Sequence, residues 1–216
     1  MPFGESGALL RPSTISLDSS ELTEDENIAH IAALCAAARE AGVPVTLEME
    51  AGVDNGVSPL DVADRLLGAV EAAHPGNIYL WAPGVGTQHG FSEKGYPFSP
   101  DAVARHRERA TEICGRPIGL ALHGSSGLPE SALREGVAAG VVKVNWSSES
   151  LLIRSQAARD FYAVHTAELE KSHAQWKATA MDNGVQSFIA GRYVPRVAER
   201  IRILGGEGRG PLVCAA

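Results

Sequence analysis

Residues 118–146, IGLALHGSSGLPESALREGVAAGVVKVNW, decide the fold. The run 118–123 is short, apolar and followed by a polar, glycine-rich loop, as a buried strand would be. Pro129 opens a helix through about residue 139. The run 141–146 is again β-branched and apolar. A strand, a helix and a second strand in this order form a βαβ unit, and its strands are parallel.

The same alternation continues outward. Strands are expected at 14–18, 43–50 and 78–82. Helices are expected at 24–41, 61–73 and 101–114. Thr23 with Glu26 reads as a capping box, and Gly42 as the residue that closes that helix. Ser58-Pro59 and Ser99-Pro100 each read as an N-cap followed by proline at the first helical position. Beyond Trp146 the pattern changes. Residues 149–179 read as a long helix, and 193–203 as another before a glycine-rich tail. Strand–helix alternation gives an α/β protein with a parallel sheet. Chemistry-bearing residues at each strand's C-terminal end favour a (β/α) barrel. A full barrel has eight βα units in about 250 residues. Five strands are legible here, so the expectation is a partial (β/α)8 TIM barrel of about five C-terminal units plus C-terminal helices. It would be one incomplete domain, with 1–12 irregular, 149–204 helical and 205–216 a flexible tail.

The strand ends carry Glu48 and Glu50, then Gly86-Thr87-Gln88-His89-Gly90, then His123-Gly124-Ser125-Ser126-Gly127, then Lys143, Asn145, Ser147 and Ser148. In a barrel these ends converge on one face. A carboxylate and two imidazoles, Glu50, His89 and His123, make a set suited to zinc with an open position. A single histidine in such a loop is more often a surface or hydrogen-bonding residue. A Gly/Ser loop is as often an ordinary turn as a phosphate cradle. Taken together, they point to a metal beside a phosphorylated substrate.

These segments resemble the class II, zinc-dependent fructose-bisphosphate aldolases. The resemblance rests on 122–127 and 140–145, on Gly86-Thr87-Gln88-His89-Gly90, and on Glu48-Met49-Glu50-Ala51-Gly52. It extends to Asp18, to Glu26-Asn27-Ile28, and to Tyr193-Val194-Pro195-Arg196-Val197, which is similar to a class IIa segment. The matches run in order from about residue 13 to about residue 197. The resemblance implies Glu50, His89 and His123 as metal ligands. It implies Asp18 near the metal, with room for a second divalent ion, and a monovalent cation near the phosphate loop. Gly90, Gly124, Ser126 and Ser148 would hold one phosphate, Arg196 the other, and Asn145 the substrate at its reacting carbons. Lys143, on the same strand as Asn145, is expected to be structural. The implied reaction is reversible cleavage of fructose 1,6-bisphosphate to dihydroxyacetone phosphate and glyceraldehyde 3-phosphate, a step of glycolysis and gluconeogenesis. Zinc would polarise the ketone in place of a Schiff-base lysine.

The family's H-x-D-H motif, with a further zinc histidine and the catalytic aspartate, has no counterpart in the 216 residues. The loop after Glu50 lacks the family's Gly-Gly-Glu-Glu stretch, and Ser147 stands where class IIa members carry Asp. The isolated chain is therefore expected to have little activity. Two alternatives stand beside the first reading: a tagatose-bisphosphate aldolase, and a non-catalytic aldolase-like fragment or paralogue. A homodimer or a partner-completed barrel is expected.

A net charge of -7, with 44% hydrophobic and 21% charged residues, suits a globular protein and does not favour nucleic-acid binding. Cys35, Cys114 and Cys214 have no metal-knuckle or redox spacing. The absence of a signal peptide and of a membrane-spanning run fits a cytoplasmic location. Cys35 reads as a core residue, Trp81, Trp146 and Trp176 as packing residues, and His74, His106, His165 and His173 as surface residues.

Overall fold

The computed structural model describes residues 14–19, 21–42, 46–52, 54, 56–91 and 97–209. The expected irregular segment 1–12, positions 43–45 of the second strand, Cys214 and the tail beyond 209 lie outside those residues.

Five strands form one parallel sheet in sequence order: β1 (Thr14–Ser16), β2 (Thr46–Glu50), β3 (Ile78–Ala82), β4 (Gly119–Leu122) and β5 (Val141–Val144). Each strand lies beside its neighbour in the sequence, with helices α1 (Glu24–Glu40), α2 (Asp61–Ala73), α3 (Pro100–Cys114) and α4 (Glu130–Ala139) in the crossovers. This is an α/β fold, and its strand order is that of part of a (β/α) barrel. Four elements follow: α5 (Ser148–Val164), a 3-10 turn (Thr166–Leu169), α6 (Trp176–Ala180) and α7 (Asp182–Ile203). The chain divides into two compact units. One spans 1–125 and 135–145, the other 126–134 and 146–216. Among the described residues no helix is long and apolar enough to cross a membrane.

Local signals explain most boundaries. The Thr23 hydroxyl accepts the Glu26 N–H while Glu26 accepts the Thr23 N–H at 3.0 Å, so the capping box forms. The Ser99 hydroxyl accepts the Ala102 N–H at 3.1 Å and Pro100 begins α3. Ser58 behaves differently. Its hydroxyl accepts the Gly84 N–H at 2.9 Å, and α2 starts at Asp61 with no side-chain cap. The long helix expected over 149–179 stops at Val164. There the Thr166 hydroxyl donates to Tyr162 O at 2.9 Å and competes for the carbonyls of the last turn. The last helix begins at Asp182, earlier than expected, and keeps Pro195 inside it.

In the first unit the core holds Ile31, Cys35, Leu47, Met49, Leu67, Ile78, Trp81, Leu120 and Leu122. Alternation along β2 puts Leu47 and Met49 on one face and Glu48 and Glu50 on the other. All four are buried. Cys35 and Trp81 are core residues as expected, whereas Trp176 is 44% exposed. His106, expected at the surface, is buried.

At the opposite end of these strands, Arg116 ties three elements together. It grips Glu71 of α2 with two bonds of 2.6 and 2.8 Å, and donates to Ile78 O at 2.6 Å and Cys114 O at 3.0 Å. Burial alone would raise the Glu71 pKa. The bonds from Arg116 and the Gly76 N–H outweigh it and hold the carboxyl below its ordinary value. A lowered folded pKa adds stability at neutral pH, and that stability is lost as the pH falls through the folded value. Arg116→Met is expected to cost about 2 kcal/mol at pH 7, the range of a charged hydrogen bond. The difference from wild type should shrink in strong acid. Urea melts at pH 7 and pH 3 measure it, and equal stability at pH 7 would refute the role.

Candidate metal centre

Three strand ends build the site, each fixed by its own backbone. Glu50 closes β2. The Asn27 amide donates to Glu50 O at 2.9 Å and is itself held by the Ser19 hydroxyl, also at 2.9 Å. The loops after β3 and β4 lock together, because the Thr87 hydroxyl donates to His123 O at 2.8 Å. Gly124 sits at φ 62, where a Cβ would lie 2.5 Å from Gln88 O, so only glycine fits beneath the His89 loop. Asn145 follows β5 and donates its N–H to Leu122 O at 2.9 Å.

The resulting geometry brings one ligand atom from each of Glu50, His89 and His123 within 4.8 Å of the others. The two imidazole rings stand 5.9 Å apart and nearly perpendicular, at 82°. Glu50 and His123 are buried; His89 is exposed.

Proton bookkeeping shows what this arrangement can hold. His123 Nε2 lies 2.9 Å from Glu48 Oε1, and Lys143 Nζ lies 2.6 Å from Glu48 Oε2. Burial would raise the Glu48 pKa. The contacts with His123 and Lys143 outweigh it and keep the carboxyl below its ordinary value. Glu48 is therefore an acceptor and the shared proton sits on His123 Nε2, so that in the neutral imidazole Nδ1 keeps its lone pair. That lone pair faces Glu50 Oε1 at 3.4 Å. Glu50 Oε1 is buried and has no hydrogen-bond partner among the described residues, and burial pushes its carboxyl above the ordinary value. Two buried acceptors facing each other require either a proton or a cation between them. The third donor, from His89, suits the cation.

His89 is oriented in the same way. Asp54 accepts the His89 backbone N–H at 2.7 Å and faces its Nδ1 at 3.1 Å. The backbone bond is the main reason that the Asp54 carboxyl lies below its ordinary value. With Nδ1 donating to Asp54, His89 Nε2 is left for a ligand. A carboxylate behind each histidine is the usual support of a metal-binding imidazole. Neither Glu48 nor Asp54 was assigned this role by the sequence. The only signal was spacing: Glu48 lies two residues from Glu50 on one strand, and Asp54 lies in the short loop that follows.

The other candidates fall in both units. In the first, Asp18 follows β1 and its charge is felt at Glu50, raising that pKa. The Asn145 amide nitrogen lies 3.1 Å from His123 Nε2. Gly90 follows His89 with φ 84. In the second unit, the Ser126 hydroxyl accepts the Glu149 N–H at 3.0 Å, and Ser148 begins α5. Arg196 pairs with Glu199 at 2.6 Å and with Glu149 at 3.5 Å.

Known proteins match this chain along most of its length. The family described as Fructose-bisphosphate aldolase class-II matches residues 11–209. A fructose-bisphosphate aldolase of Streptococcus pyogenes serotype M3 is 33% identical over 165 residues, which is 73% of this chain and 54% of that one. One from Streptococcus pneumoniae serotype 4 is 29% identical over 204 residues, 91% of this chain and 65% of that one. The chain thus spans between half and two-thirds of the length of these relatives. Among solved structures, the YdjI aldolase of Escherichia coli K12 superposes with a TM-score of 0.65 at 19% identity, covering 91% of this chain and 62% of that one. The fructose-bisphosphate aldolase of Campylobacter jejuni gives 0.63 at 18% identity, covering 90% and 61%. On the order of its strands, the three residues gathered at their ends and the match over 11–209, the chain belongs to the class II fructose-bisphosphate aldolase family.

Proposed function

We propose that this chain is a zinc-dependent aldolase polypeptide acting on a phosphorylated sugar, with fructose 1,6-bisphosphate as substrate and dihydroxyacetone phosphate and glyceraldehyde 3-phosphate as products. The observation that carries the reading is the meeting of Glu50, His89 and His123, with a buried and unpartnered Glu50 oxygen among them. Those three residues would hold the ion. When bound, zinc supplies Lewis-acid polarisation of a substrate carbonyl. Glu48 and Lys143 hold His123 in the tautomer that offers Nδ1, and Asp54 holds His89. Asn145, whose amide nitrogen lies 3.1 Å from His123 Nε2, would hydrogen-bond substrate near the reacting carbons. Asp18 adds a carboxylate near Glu50. Gly90 leaves room for close backbone approach, Gly124 lets the phosphate loop pack against the His89 loop, and Ser126, Ser148 and Arg196 have the chemistry that phosphate takes. The reaction would serve glycolysis and gluconeogenesis in the cytoplasm.

Titrating the purified chain with zinc and assaying fructose 1,6-bisphosphate cleavage tests the reading in two parts. One equivalent of zinc should bind, and no binding would overturn the metal set. The 216 residues contain no H-x-D-H. Cleavage by the isolated chain should therefore fall below that of a full-length family enzyme by about 10²–10⁴-fold, the usual worth of a general base. Turnover equal to the full-length enzyme would show that these residues suffice. Asp54→Ala should weaken zinc binding by about tenfold, the low end for a group that orients a metal-binding histidine. Competition against a chromophoric chelator measures it; an unchanged affinity would show that His89 needs no orienting partner.

A further inference from the structure

His106 lies on α3, away from the metal group, and is only 1% exposed. Its Nε2 lies 2.8 Å from Ser58 O. A carbonyl can only accept, so Nε2 carries the proton and donates. Nδ1 is buried with no partner among the described residues, and burial lowers the pKa of the ring, which keeps it a neutral single donor. A buried histidine with one nitrogen unsatisfied costs stability unless the bond made by the other is needed.

That bond ends on the loop that carries Asp54. Ser58 is held on three sides, by two bonds to the loop after β3 and one to α3. Its N–H donates to Gly84 O at 2.9 Å, its hydroxyl accepts the Gly84 N–H at 2.9 Å, and its carbonyl takes the His106 proton. Val57 and Val85 form an antiparallel bridge, and the Gly86 N–H donates to Gly56 O at 3.2 Å. A Cβ on Gly84 would lie 2.5 Å from Gly56 O, so the two loops touch backbone to backbone. Asp54 then reaches His89 from one loop to the other.

We infer that His106 is a positioning residue that latches residues 56–58 through Ser58 O and so sets Asp54 against His89. The residue does not touch the ligand group; it acts through backbone. The inference rests on the metal reading only for its effect on zinc, because the latch itself exists in the metal-free protein.

The test compares His106→Leu, which keeps bulk without the donor, with His106→Gln, whose amide can still reach Ser58 O, and His106→Asn, whose amide falls short. Amide hydrogen exchange of the metal-free protein is read at His89, Gly84 and Gly86, with the β4 amides as reference. The Leu and Asn variants should exchange about tenfold faster at these three amides and unchanged at β4, while Gln stays near wild type. Zinc affinity should fall by about tenfold in Leu and Asn and return in Gln. Equal exchange at His89 in all four proteins would overturn the latch, as would equal zinc affinities in a wild type that binds zinc. Identical defects in Leu and Gln would reduce His106 to packing. If Leu fails to fold, the Gln and Asn pair makes the same comparison. A wild type that binds no zinc would sink the metal reading, and the exchange measurement would still decide the latch.

Discussion

His123→Ala is expected to cripple zinc binding and destabilise the metal-free protein by about 3 kcal/mol, the upper range for leaving a buried, charged acceptor without its donor. His123 is the hinge of the whole arrangement. One nitrogen meets Glu48 at 2.9 Å, the other faces Glu50 at 3.4 Å, and both carboxylates are almost wholly buried. Without the imidazole, Glu48 keeps, among the described residues, only Lys143 and the Ser16 hydroxyl, at 2.6 and 3.3 Å. Loss of a ligand should exceed the 10- to 100-fold typical of supporting groups, so zinc affinity should drop by more than about 100-fold. His89→Ala provides the control. It removes a ligand that is half exposed, so it should lose zinc while leaving metal-free stability nearly unchanged. Calorimetric titration with zinc and urea melts read the two quantities separately. A His123→Ala protein that binds zinc like wild type would show that these three residues do not share an ion.

Lys143→Met is expected to destabilise the fold by about 3 kcal/mol at neutral pH and weaken zinc binding by about 10- to 100-fold. Lys143 is the cation that lets Glu48 stay ionised at 0% exposure. The lowered Glu48 pKa means that its contribution is present at neutral pH and disappears as acid protonates it through the folded value. Removing Lys143 takes away one of the two contacts that offset burial, so the Glu48 carboxyl rises from its lowered value and is a poorer acceptor for His123. The tautomer that aims Nδ1 at Glu50 is then no longer enforced. The stability gap between variant and wild type should therefore narrow as the pH falls below the ordinary carboxylate range. A gap that stays constant from pH 7 to pH 3, or a wild-type zinc affinity, would show that Lys143 is a bystander.

Much of this was legible in the residues. The strands at 78–82 and 141–146, the Thr23–Glu26 box and the Ser99-Pro100 start are local signals, and local signals fix local backbone. Glu50, His89 and His123 were legible because each stands at the end of a strand, and parallel βα topology sends those ends to one side. Ser58 and Thr166 show where such reading stops. Both are short hydroxyl residues beside a helix, and the sequence does not say which carbonyl or N–H will reach the oxygen first. Ser58 was drawn to Gly84, 26 residues on, instead of capping α2. His106 was misplaced for a related reason: it shares its face of α3 with the buried Ala102, Val103 and Ala110, but its partner, Ser58 O, lies 48 residues away.

The sequence by itself determined the alternation of strand and helix, the family and the three candidate donor residues, because periodicity, capping and strand-end position are written in consecutive residues. Only the tertiary structure decided what stands behind those donors. Glu48 meets His123 across 75 residues and Lys143 across 95, and Asp54 meets His89 across 35. Such contacts depend on the register of non-adjacent strands and on the docking of two loops. No spacing along the chain encodes which acceptor a buried imidazole will find.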